Sequence, residues 1–267
     1  MRAEIPTPPS VTLFDFVPDA IKKNTIRDLA DLNRSALASL LMPKPHHPGQ
    51  FHSVGTGFYV VWPDNPDIVR LVTAAHVLEE FDFDVGHVTI GGLRIALSDV
   101  GQRNLDLQRD IAVWSIPASC FLNYRITDVE GFPLWHPGTA QDKFIRTDSF
   151  LIAGYPASRN KVLDFRQGRE PNRQILAMAL HTPPVLVDPG ILRFSYSGEV
   201  VTESWGPKIQ TPRLQGMSGS PCLRIVVDRV TRSIGLVLSG VFTERDKNEN
   251  TLSIGWFGDP WQVPTSL

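Results

Sequence analysis

Gly55-Thr56-Gly57-Phe58-Tyr59-Val60-Val61-Trp62 and, a few residues on, Ile68-Val69-Arg70-Leu71-Val72-Thr73-Ala74-Ala75-His76-Val77 decide the fold class. Both runs are dense in β-branched and aromatic residues, and Pro63-Asp64-Asn65-Pro66-Asp67 separates them, so they read as strands around a turn. The cadence continues outward, with VTIGGLRIAL at 88–97 and DIAVWSI at 110–116. Four short runs at this spacing predict a sandwich or barrel. A turn-rich stretch, EGFPLWHPGTAQDK at 130–143, leads to a second set: FLIAGYP (150–156), QILAMAL (174–180), ILRFSYSG (191–198), GSPCLRIVV (219–227) and SIGLVLSGVF (233–242). Two β blocks of similar size predict an all-β chain with two subdomains facing each other, over 46–135 and 136–267. No internal repeat or low-complexity segment interrupts them.

Upstream of Gln50 the pattern differs. The first 18 residues are proline-rich and expected to be extended, since proline removes a backbone donor and biases its predecessor away from helix. From Asp19 to Met42, Ile26, Leu29, Leu32, Ala36, Leu37, Leu40 and Leu41 fall near one face of a 3.6-residue period, with Asp19 as N-cap and Pro43 and Pro45 as stops. This predicts an amino-terminal extension, residues 1–45, carrying one helix. The helix could pack on the outside of the main domain, form an oligomer contact or act as a regulatory plug.

Composition narrows the function classes. The 267 residues are 42% hydrophobic and 20% charged, with 26 basic against 28 acidic side chains and a formal charge of −2. Disorder and collagen-like repeats are excluded. Without a basic run, the chain lacks the electrostatic footprint for nucleic acid or an anionic membrane surface. Two cysteines, Cys120 and Cys222, are too few for a disulfide scaffold. The first residues hold no apolar signal region, and no segment approaches the roughly 20 apolar residues of a membrane helix. The expected location is cytoplasmic.

Three segments could carry chemistry. In Gly216-Met217-Ser218-Gly219-Ser220-Pro221, glycines flank a serine between β runs. A serine nucleophile needs such a backbone: an exposed hydroxyl on a tight turn, with amide N–H groups aimed at a developing oxyanion. The chance of G-x-S-G-x-P from this composition alone is roughly 0.008, and a plain Gly-Ser hairpin turn is the other reading. His76 ends an apolar run beside two small alanines, which leave room for a general base to be held and approached. It also reads as an ordinary core or rim histidine. Asp110 heads an apolar strand, either as a turn or strand cap or as a carboxylate that something donates to. There is no H-E-x-x-H, C-x-x-C or Walker-type loop, so no metal, redox or nucleotide cofactor is expected. Cys222 is expected to be buried, and Trp114, Trp256 and Trp261 to pack the β blocks or the tail.

The order His76, Asp110, Ser218 is that of one of the convergent catalytic triads. With GTGFYV, LVTAAHV, DIAVW, IAGYP and GMSGSP, the chain resembles the chymotrypsin-like (trypsin-like) serine peptidases over about residues 50–245, and their bacterial intracellular or periplasmic members more than the disulfide-rich secreted ones. The resemblance implies two perpendicular six-stranded β-barrels with the triad in the cleft between them. It implies Ser218 as nucleophile, His76 as general base, Asp110 as orienting carboxylate, the backbone N–H groups of Gly216 and Ser218 as oxyanion hole, and a polypeptide substrate.

Two departures matter. Met217 stands where secreted members often carry an aspartate, so activation by burying a new amino terminus against that carboxylate is not available. Pro212 stands where trypsins carry the aspartate that binds basic side chains, so a preference for Lys or Arg is not implied. Residues Ser239, Gly240, Val241, Phe242 and Thr243 would supply the wall of the substrate pocket, and Glu244 and Arg245 read as rim charges. The sequence thus predicts a serine endopeptidase. The alternatives are a catalytically silent relative that binds proteins, or an enzyme held inactive until a regulatory partner or signal arrives, with the extension across the cleft. Oligomeric state is not legible.

Overall fold

Alternating burial along short strands produces two sheets in the computed structural model. It describes residues 34–61, 65, 67–90, 93–96, 100–122, 131–133, 144–158, 160, 163–164, 175–180, 184–188, 190–196, 214–228, 230, 234–246 and 250–257. The first sheet holds β1 (Leu37–Pro43), β2 (Gln50–Val61), β3 (Ile68–Thr73), β4 (His87–Ile90), β5 (Leu93–Ala96), β6 (Gln102–Asp106) and β7 (Ile111–Pro117). Their order is β5-β4-β1-β2-β3-β7-β6, with β8 (Phe132–Pro133) and β10 (Leu163–Asp164) pairing onto β2. The second holds β9 (Phe144–Gly154), β11 (Leu176–Leu180), β12 (Val185–Asp188), β13 (Ile191–Ser195), β14 (Pro221–Asp228), β15 (Ile234–Asp246) and β16 (Thr251–Trp256), in the order β11-β9-β14-β15-β16-β13-β12. Apart from the parallel β2–β8 pair, the ladders are antiparallel. Two short helices, α1 (Ala75–Glu80) and α2 (Ser119–Leu122), follow β3 and β7.

The second sheet rolls on itself. Phe150 on β9 and Phe194 on β13 are four strand positions apart, which in a flat sheet is about 19 Å, yet their rings meet edge to face with centroids 5.0 Å apart. One apolar cluster fills this concave side, with Phe150, Ile152, Met217, Cys222, Phe242 and Ile254 among its members. The opposite face supplies Leu151, Ala153, Leu223, Leu238 and Val241 to a second cluster shared with the first sheet. The alternation Phe150/Leu151/Ile152/Ala153 therefore serves both cores at once.

The sequence expectation of six strands per barrel differs from what forms: nine strands pair in the first sheet and seven in the second, and among the described residues no ladder joins the ends of either path. The helix expected over residues 19–42 is corrected at its carboxyl end. Leu37–Met42 belongs to β1, between β4 and β2 in the first sheet; residues 1–33 lie outside the described residues. The physical reason is burial on both faces. Leu37, Ala38, Ser39, Leu40 and Leu41 are all buried, and a continuous apolar run does not distinguish a doubly covered strand from a helix. Both cysteines are free thiols, Trp114 is fully buried, and Trp261 lies outside the described residues. No helix among the described residues is long and apolar enough to cross a membrane.

Candidate active site

β3 ends at Thr73, and α1 begins two residues later without a side-chain cap of its own. Its free N–H groups are taken by Asp110: Ala75 N–H donates to the Asp110 carbonyl at 3.2 Å and His76 N–H to Asp110 Oδ1 at 3.0 Å. The other carboxylate oxygen, Oδ2, lies 2.8 Å from His76 Nδ1. One aspartate thus caps the helix and orients the ring. Its hydrogen bond and charge raise the His76 pKa above the ordinary 6.5, with burial opposing and the charges of Glu80 and Glu244 adding to the rise. Both side chains keep solvent contact, 41% for His76 and 30% for Asp110.

Asp110 adopts φ +53, a left-handed conformation in which Asp and Asn are enriched. The preceding turn imposes it. Asp106 accepts Arg109 N–H through Oδ1 and Arg109 Nε through Oδ2. Arg109 then lies flush against the second sheet: a Cβ on Gly190 would overlap the Arg109 side chain, and one on Gly255 would overlap its carbonyl.

The serine sits in two linked turns. Met217 N–H donates to the Leu214 carbonyl at 2.9 Å, and Ser220 N–H to the Met217 carbonyl at 2.9 Å, so Met217 closes one turn and opens the next. The third residue of each is glycine with positive φ, Gly216 at +85 and Gly219 at +89, the mark of type II turns. This is the physical content of the glycine spacing around Ser218. Met217 is buried in the second sheet's core and pins the pair, while Ser218 keeps partial exposure. Gly219 N–H donates to the Phe242 carbonyl at 2.7 Å, and Phe242 N–H to the Ser220 carbonyl at 2.8 Å. No backbone carbonyl among the described residues takes the Gly216 or Ser218 N–H.

Thr56, in the middle of β2, joins these pieces. Its N–H donates to the Ser218 carbonyl at 2.9 Å, its hydroxyl to the Gly216 carbonyl at 2.8 Å, and its own carbonyl accepts the Thr73 hydroxyl at 2.7 Å. Gly55 beside it packs against Val77 and the Ser218 carbonyl. The structure therefore brings the His76, Asp110 and Ser218 segments to one place.

Of the predicted pocket residues, Pro212 lies outside the described residues. Val241 and Phe242 are fully buried, one in each core, so Phe242 meets the serine turn through its backbone. Thr243 donates its hydroxyl to the Ser253 carbonyl, Ser239 to that of Val237, and Gly240 is buried against β16. Thr56, Thr73, Arg109, Gly190 and Gly255 are not legible as site residues from sequence, because the contacts that tie them to the site, Arg109's local bonds to Asp106 aside, join segments distant along the chain. Among the described residues no three His, Cys, Asp or Glu side chains converge as a metal site would need.

No known protein family and no curated protein matches the chain. Among solved structures it is similar to the tobacco vein mottling virus protease, at 12% identity and TM-score 0.42, covering 89% of this chain and 83% of that one. It is similar to the tobacco etch virus protease in complex with product, at 13% and 0.44, covering 87% and 77%. It is also similar to the Vibrio cholerae VesB protease, at 13% and 0.41, covering 83% and 60%.

Proposed function

We propose that the chain is a serine endopeptidase of the chymotrypsin-like, double-barrel kind, acting on a polypeptide without a cofactor. The observation that carries this reading is the double grip of Asp110 on His76, one oxygen on the backbone N–H and the other on ring Nδ1, beside a glycine-flanked serine turn whose Gly216 and Ser218 N–H groups meet no backbone carbonyl among the described residues. A ring nitrogen held by a carboxylate fixes the Nδ1–H tautomer and leaves the Nε2 lone pair for a proton.

The chemistry follows from these roles. Ser218 Oγ attacks the scissile carbonyl as His76 Nε2 takes its proton, and Asp110 stabilises the resulting imidazolium. The carbonyl oxygen becomes an oxyanion facing the Gly216 and Ser218 N–H groups. Collapse expels the amine, which takes the proton from His76, and leaves an acyl group on Ser218; water repeats the sequence to release the acid. Met217 in the core supports a turn assembled without a new amino terminus. The strand Ser239–Thr243 forms the wall beside the serine, its backbone at Phe242 bonded to the turn.

The test is mass spectrometry after exposure to a fluorophosphonate, with a His76→Ala control, alongside cleavage of a peptide library. A single adduct on Ser218, lost in the control, is the expected result. No adduct and no cleavage would overturn the reading and leave a protein-binding module or an enzyme awaiting a partner.

A further inference from the structure

The turn before Ser218 contains a peptide with two available orientations. Type I and type II turns differ by a half-rotation of the central peptide, here Gln215–Gly216, and the positive φ of Gly216 identifies the type II form. In that form the Gln215 carbonyl accepts Ala157 N–H at 2.7 Å. Because a trans peptide points its N–H opposite its carbonyl, the Gly216 N–H faces away from Ala157. A half-rotation would withdraw it. Glycine is the natural swivel for such a change, having no Cβ to resist either form.

One buried hydroxyl holds the other side of that swivel. Thr56 has no exposed surface, and its Oγ1 donates its single proton to the Gly216 carbonyl at 2.8 Å, across 160 residues of sequence. The same oxygen accepts Tyr155 N–H at 3.0 Å, two residues before the Ala157 that holds Gln215. Both peptides flanking Gly216 are thus fixed, and one atom links the two clamps. The fit is close: a Cβ on Gly216 would lie 2.7 Å from Ala157 N, and one on Gly154 would overlap Ser220 Oγ and crowd Thr56 Oγ1. The first sheet supplies the hydroxyl, while the second supplies the turn and the 155–157 segment.

We propose that Thr56 is a positioning residue whose hydroxyl holds the Gly216 N–H in its oxyanion-binding orientation. This rests on the peptidase reading above. Thr56 touches neither substrate nor reacting atoms, and acts only through Gly216. Its contribution therefore falls on kcat, where the oxyanion forms, and little on KM.

The test compares the full-length parent with Thr56→Val and Thr56→Ser, measuring kcat and KM on a peptide substrate, the rate of fluorophosphonate labelling, and thermal unfolding. Valine keeps the shape and β-branching but neither donates nor accepts, whereas serine keeps the hydroxyl and drops the methyl. Loss of one oxyanion donor lowers kcat by about 10²–10³-fold, which bounds the expected Val effect from above. We expect Thr56→Val to lose at least ~10-fold in kcat with KM within ~3-fold, and Thr56→Ser to stay within ~3-fold of the parent. A Val variant as fast as the parent, or a Ser variant as slow as the Val one, would overturn the role of the hydroxyl. If Thr56→Val does not fold, Thr56→Ser decides: parent-like kcat supports the proposal and a loss overturns it. Failure of the underlying reading looks different, since a parent that neither labels at Ser218 nor cleaves peptide overturns both. A parent that labels and cleaves beside an equally active Val variant overturns the Thr56 role alone.

Discussion

Asp110→Asn separates the chemistry of the site from its architecture. At φ +53 asparagine is as much at home as aspartate, and its carbonyl oxygen can still accept the His76 N–H, so the turn and the start of α1 should persist. What changes is the atom 2.8 Å from His76 Nδ1. An amide NH₂ there donates to Nδ1, stabilises the tautomer protonated at Nε2, and removes the lone pair that would take the Ser218 proton. Relative to the parent, the productive tautomer has lost a charge-assisted hydrogen bond, about 1.5–3 kcal/mol, and faces two donors against each other at a similar cost. The sum, about 3–6 kcal/mol, corresponds to roughly two to four decades in kcat at 1.36 kcal/mol per decade. Stopped or continuous fluorogenic assays from pH 5 to 9, with thermal unfolding of the same samples, would measure it. The acid limb of the profile, expected above pH 6.5 in the parent because His76 must lose its proton to act as base, should move to lower pH in the variant. Asp110→Ala supplies the contrast. It adds a left-handed backbone penalty of ~1–2 kcal/mol and should be less stable than the Asn variant, yet no slower, because nothing locks the wrong tautomer. An Asn variant within ten-fold of the parent kcat, or losses that follow unfolding temperature in both variants, would refute this reasoning.

Other outcomes follow from the same geometry. Gly219→Ala forces a side chain into φ +89 and into the Thr56 carbonyl and Thr73 hydroxyl, so calorimetry should show a loss of about 2–3 kcal/mol, while Gly235→Ala, whose Cβ would meet Val226 alone among the described residues, at 3.3 Å, should be near neutral. Glu244→Gln should lower the acid limb less than Asp110→Asn does, and salt should shrink the difference, because Glu244 is exposed. Cys222 is fully buried and its thiol is pushed up by that burial, so alkylation of the native protein should mark half-buried Cys120 before Cys222 and reach Cys222 only on unfolding.

Many strands were legible where apolar residues cluster between turns: β3, β5, β11 and β13 fall within apolar runs read from the sequence, β2, β4, β7, β9, β14 and β15 overlap such runs but extend beyond them, and the single run at 88–97 divides into β4 and β5. β1 was not, because burial on both faces erases the period that separates strand from helix. β6, with Gln102, Arg103 and Asn104 at least partly exposed, and two-residue β8 and β10 carry too little apolar pattern to be seen. The candidate site divides the same way. Gly216, Ser218 and Gly219 are visible because type II turns demand glycine at fixed spacing. Thr56 is visible as a letter in a motif, but its bond to Gly216 is a property of how two sheets meet, and no local pattern encodes it. Glu244 reads as a rim charge, yet a bulge between Phe242 and Glu244 in the β15–β16 ladder lets a buried aromatic and an exposed carboxylate sit two residues apart, and its charge reaches His76.

Arg109 rests on Gly190 and Gly255, and this sets an order of events during synthesis. A ribosome delivers His76 and Asp110 well before β16, which carries Gly255. Until that strand docks, the turn that presents Asp110 has no floor. On the peptidase reading, a half-made chain therefore holds a base without a seated acid and is harmless to the unfolded polypeptides crowded around it. On that reading activity waits for β16 to dock beneath Arg109.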